Sequence, residues 1–61
     1  MNSQEEKELF ESYGWTYDSI KRIWESPTGV FITTDQLMEY TTNPAGELEL
    51  KELIRMHGVK K

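Results

Sequence analysis

The stretch Arg22-Ile23-Trp24-Glu25-Ser26-Pro27-Thr28-Gly29-Val30-Phe31-Ile32-Thr33-Thr34-Asp35 restricts the fold more than any other part of the chain. Pro27 occupies the second position of a type I turn, and Gly29 falls where the chain needs a positive φ. Val30 to Thr33 is β-branched and aromatic, the composition of a strand. Thr33 and Gln36 then have the spacing of a capping box, which opens a helix. Strand, turn, strand and helix start follow one another with almost no slack.

A second pattern competes over residues 16–26. Tyr17, Ile20, Ile23 and Trp24 also recur at helical spacing, with Thr16 as an N-cap. A helix there leaves Val30–Thr33 without a partner strand, and unpaired strand groups are costly once buried. Pairing Arg22–Glu25 with Val30–Thr33 removes that cost and favours the hairpin. A three-residue loop with Gly29 in a G1 bulge sets Ser26 opposite Val30 and Trp24 opposite Ile32. A preceding turn over Asp18–Lys21 would set Trp15 opposite Trp24 and Tyr17 opposite Arg22. The expected core face is then Trp15, Tyr17, Trp24, Val30 and Ile32. The other face carries Ile23, Glu25, Phe31 and Thr33.

Helical signals flank this meander. Ser3 and Glu6 have capping-box spacing, Leu9, Phe10 and Tyr13 share a face, and Gly14 suits a C′ position, so a helix is expected over about residues 4–13. A short helix is expected from Asp35 to Thr41, presenting Leu37, Met38 and Tyr40. Asn43 then caps a last helix with Pro44 at N1. Its inward stripe is Leu50, Leu53, Ile54 and His57, and Gly58 stops it. The expected class is α+β: a small antiparallel β-meander, its hairpin turn at Pro27–Gly29, packed with an N-terminal, a short middle and a C-terminal helix. Residues 1–61 form one small domain.

Chains of this size bury only about 60% of the surface that the unfolded form exposes. With no cysteine to add a disulfide, the two Trp, three Tyr and two Phe must carry much of the core. The polar N-terminus lacks the apolar core of a signal peptide, and no apolar run approaches the ~20 residues of a membrane span. The expected location is cytoplasmic. A net charge of −4 argues against general nucleic-acid binding. Glu5, Glu6, Glu8 and Glu11 load the first helix, and Glu47, Glu49 and Glu52 the start of the last. Arg55, Lys60 and Lys61 close the chain. Helix-dipole complementation is the plain reading of most of this charge.

No residue pattern points to catalysis. His57 is the sole histidine, lacks an orienting carboxylate and nucleophile nearby in sequence, and matches no metal-ligand spacing. No two carboxylates share an apolar setting that would separate their pKa values. The glycines at 14, 29, 46 and 58 are isolated, so there is no phosphate loop. No catalytic, cofactor or metal residue is therefore assigned. Apolar residues off the expected core are the candidates for a partner surface: Ile23 and Phe31 on the second sheet face, and Leu48 and Met56 off the stripe of the last helix. The expected function is a non-catalytic, acidic protein-binding or regulatory module, by analogy with short phage or accessory regulators that block a larger protein. Self-association through the Val30–Thr33 edge or the last helix is a variant of it. The alternative is a helix-turn-helix over residues 16–41, with Lys21 and Arg22 contacting phosphates.

Overall fold

Local capping signals start each helix in the computed structural model, which describes residues 2–60. Helix α1 (Ser3–Ser12) is capped by Asn2, whose Oδ1 accepts the Glu5 N–H at 2.9 Å. The expected Ser3/Glu6 box is thereby displaced by one residue. Asn caps a helix as well as Ser does, and the Asn2 amide also donates to Glu5 Oε1 at 3.3 Å. At the other end Gly14 takes φ 81°. Its N–H reaches the Glu11 carbonyl at 3.1 Å, and the Trp15 N–H reaches the Phe10 carbonyl at 3.0 Å. This is a Schellman ending, and it turns Trp15 inward.

Three antiparallel strands follow in the order β1 (Thr16–Asp18), β2 (Ile23–Glu25) and β3 (Phe31–Thr33). The second hairpin has the expected register, with Trp24 opposite Ile32. Gly29, at φ 91°, permits the turn. The buried Ser26 hydroxyl holds it by accepting the N–H groups of Thr28 at 3.2 Å and Val30 at 2.9 Å.

The first hairpin differs from expectation: Trp24 faces Tyr17, not Trp15, so Tyr17 is not opposite Arg22, and Asp18 pairs with Ile23. The turn lies one residue later because Asp18 organises it. Asp18 Oδ1 accepts the N–H groups of Ile20 at 3.0 Å and Lys21 at 3.1 Å. Arg22 closes the turn in the left-handed region at φ 57° and donates its N–H to the Asp18 carbonyl at 2.7 Å. The pairing moves by two positions, which preserves the side-chain alternation. Tyr17 and Trp24 therefore keep the face assigned to them.

Thr33 and Gln36 form the expected capping box of α2 (Thr34–Tyr40), and Asn43 with Pro44 opens α3 (Pro44–His57). All three helices lie against one side of the sheet. Phe10, Trp15, Ile32, Leu50 and Ile54 form the buried core, with Leu9, Tyr13, Trp24, Val30, Leu37, Tyr40 and Leu53 packed around it. The Trp15 indole N–H donates to the Ile54 carbonyl at 3.0 Å, which satisfies both groups in the interior. One residue of the expected core face falls outside, Tyr17 at 49% exposed, and Met38 of α2 is 64% exposed. Among the described residues no helix is long and apolar enough to cross a membrane.

Gly58 ends α3 as expected, with φ −105° and ψ 173°, extended backbone that any residue adopts. Its function is steric. A Cβ there would lie 2.6 Å from Tyr13 Cβ and 2.7 Å from the Tyr13 and Ile54 carbonyl oxygens. This approach lets the Val59 N–H reach the Tyr13 carbonyl at 2.8 Å and ties the C-terminal ends of α1 and α3 together. Gly58→Ala is expected to cost about 1–2 kcal/mol through overpacking and to lower the melting midpoint by roughly 5–15 °C. A thermal scan followed by circular dichroism checks this, and an unchanged midpoint would refute the steric account.

Candidate functional site

The register defines the second face of the sheet. One row across it is Thr16–Glu25–Phe31 and the next is Asp18–Ile23–Thr33. Every residue of the first row is exposed, Phe31 at 59%, while Ile23 is half-buried. Phe31 and Ile23 are diagonal neighbours and make one small apolar patch with Glu25 beside it.

Leu48 and Met56 are each 67% exposed. They lie two turns apart on the outer side of α3, roughly 12 Å along the axis, with the Glu52–Arg55 ion pair between them. The core stripe of α3 faces the sheet, so Leu48 and Met56 point away from it, on the opposite side of the molecule from Phe31. The structure thus brings Ile23 and Phe31 together and keeps Leu48 and Met56 apart from them and from each other.

The outer edge of β3 has little to offer another strand. Ser26 and Val30 are hydrogen-bonded partners, so by alternation Phe31 and Thr33 direct their backbone groups outward. Thr33 N–H already donates to Gln36 Oε1 at 3.1 Å in the capping box. Phe31 alone keeps an N–H and a carbonyl on that edge, too few for strand addition.

On the helix-bearing face a cleft of about 400 Å³ opens between α1 and α2. Tyr17 and Trp24 form its floor, Ser3, Glu6, Lys7 and Glu11 one wall, and Thr34 and Leu37 the other. Helix α3 packs against both α1 and α2 and leaves this gap beyond its reach. Tyr17 and Trp24 are a non-hydrogen-bonded cross-strand pair, in which side chains approach closely. Their ring centroids are 5.2 Å apart and tilted by 53°. One face of the Trp24 indole stacks on Phe10 at 4.4 Å with an interplanar angle of 5°. Partial burial pushes the Glu6 carboxyl above its ordinary value, and the negative charge of Glu47 adds to the shift.

The chain matches no known protein family, no curated protein and no solved structure.

Sequence reasoning missed the cleft because Tyr17 and Trp24 have the alternation of core residues. A signal was nonetheless present in the charges. The helix dipole explains Glu5 and Glu6 in the first turn of α1, but Glu11 lies near its C-terminus, where the last turn holds no basic residue. Acid is disfavoured there. Lys21 and Arg22 line a separate depression of about 360 Å³ with Thr33, Thr34 and Asp35. Residues 16–26 hold two strands in place of a helix, so no helix-turn-helix spans residues 16–41. His57 is half-buried, and its carbonyl accepts the Thr28 hydroxyl at 3.2 Å. Among the described residues no three His, Cys, Asp or Glu side chains come together as metal ligands.

Proposed function

We propose that this chain is a non-catalytic, cytoplasmic protein-binding module that docks a larger protein through the open face of its sheet, with Phe31 as the anchor. The observation that carries this reading is the exposure of Phe31 at 59% on a sheet face that no core residue covers. An apolar patch with polar and charged neighbours is characteristic of interaction sites. Aromatic anchors of this kind dominate interface energetics. Leu48 and Met56 support the reading less, since an ion pair interrupts them. A net charge of −4 favours a basic partner over a second copy, because two copies bring like charges together.

The test is affinity capture from the native host with parent, Phe31→Ala and Ile23→Ala proteins, followed by titration of the captured protein. Phe31→Ala is expected to weaken binding by about 30-fold, the effect of a ~2 kcal/mol hot spot. Because Phe31 is exposed, its removal changes stability by only about 0.5 kcal/mol. A partner retained equally by both variants would remove this face from consideration. Sedimentation of the protein alone is expected to show a monomer.

A further inference from the structure

We propose that the cleft between α1 and α2 receives a lysine or arginine side chain of a partner polypeptide, laid over Tyr17 and Trp24 and paired with Glu6 and Glu11. This goes beyond the docking face described above, because the cleft lies on the other side of the sheet and uses different residues.

The floor is built for a cation. An ammonium or guanidinium over the face of Trp or Tyr is attracted by the ring quadrupole, more strongly when water is displaced. Tyr17 presents half of its surface, and Trp24 is held from behind by Phe10. The rings are therefore in place before a ligand arrives, and little ordering cost remains. A cleft of about 400 Å³ also admits the aliphatic stem of a long side chain against Leu37.

The walls select the sign of the charge. Glu6 and Glu11 line the cleft, and among the described lining residues Lys7 is the one cation. An anion would meet two carboxylates. An uncharged apolar side chain would strip water from those carboxylates and return nothing to them. Glu11 is placed against the dipole of its own helix, where a ligand cation offsets the cost, and Lys7, one turn earlier on the same wall, competes for it.

Three capped pentapeptides serve as probes: glycine-serine-X-serine-glycine with X as lysine, arginine or norleucine, the last being the uncharged counterpart of lysine. Binding is followed by NMR on the Tyr17 ring and the Trp24 indole. The lysine or arginine peptide is expected to shift both signals at millimolar or lower concentration, and added salt is expected to weaken the response. A response to one cation alone supports the proposal and identifies the cation. Glu6→Gln and Glu11→Gln are each expected to weaken binding by about two- to five-fold, and Lys7→Gln to strengthen it by a similar factor. Burial disfavours the charged form of Glu6, so Glu6→Gln removes an unfavourable ionisation at neutral pH and leaves a folded protein for the comparison. Equal response to the norleucine peptide, unchanged affinity in the Glu6→Gln/Glu11→Gln double variant, or no shift of Tyr17 and Trp24 with either cationic peptide at 10 mM, about the weakest binding of interest, overturns the proposal.

Discussion

Trp15→Ala is expected to leave the protein largely unfolded at 25 °C. Trp15 is 2% exposed and lies edge-on to Phe10, with ring centroids 5.2 Å apart. Truncating a buried tryptophan to alanine costs about 3–5 kcal/mol. A single core in a domain this small rarely supplies more than about 3–5 kcal/mol in total. The substitution therefore removes stability comparable to all that is available. Its effect has a polar part as well, because the indole N–H is the buried donor to the Ile54 carbonyl. Trp15→Phe separates the two parts. It keeps most of the ring but leaves that carbonyl without its donor, for a loss of about 1–3 kcal/mol. Urea denaturation followed by circular dichroism should show no native baseline for Trp15→Ala and an early but cooperative transition for Trp15→Phe. A Trp15→Ala midpoint close to that of the parent would mean that the core is assigned wrongly.

The second large effect runs against local propensity. Gly46 is in the first turn of α3, where Asn43 Oδ1 accepts its N–H at 2.7 Å. In an isolated helix, alanine would be better than glycine by about 1 kcal/mol. In the folded chain the added Cβ would fall 2.2 Å from the Tyr40 carbonyl oxygen and 3.0 Å from its carbon. Both atoms are main chain at the end of α2, so no side-chain rotation relieves the overlap. The start of α3 must move away from α2, with Tyr40 and Leu50 losing contact with their neighbours. Gly46→Ala is expected to destabilise by about 3 kcal/mol net and to lower the melting midpoint by roughly 12–24 °C. A midpoint equal to or above the parent's would show that α2 and α3 are farther apart than described.

These two sites differ in how far the sequence discloses them. A large aromatic after a glycine helix stop is expected to be buried, and Trp15 is. The glycine at 46 carries no comparable mark. Its neighbour is Tyr40, brought close by the turn between two helices, and nothing in the residues from Asn43 to Glu47 states that distance. The same holds for Gly58, expected as a helix stop and found also as a close-approach position beside Tyr13. For the candidate surfaces the division is similar. Phe31 and Ile23 are legible as a second sheet face, since strand alternation alone separates them from Trp24 and Ile32. The cleft is not legible. It needs Tyr17 uncovered, and that depends on where three helices come to rest.

The features that the sequence by itself determined are ones closed by bonds between residues three or four apart. The hairpin turn held by Ser26 and Gly29, the capping box of Thr33 and Gln36, and the cap of Asn43 are of this kind. Such bonds form within one turn and depend little on the rest of the molecule. Only the tertiary structure decided which residues of the alternating face are covered. Trp15 and Ile32 meet Leu50 and Ile54 of α3, whereas Tyr17, on the same face, extends past the end of that contact into the gap between α1 and α2. Alternation assigns a side chain to a face. Burial requires a partner from elsewhere in the chain, and in a domain this small α3 is too narrow to cover the whole sheet.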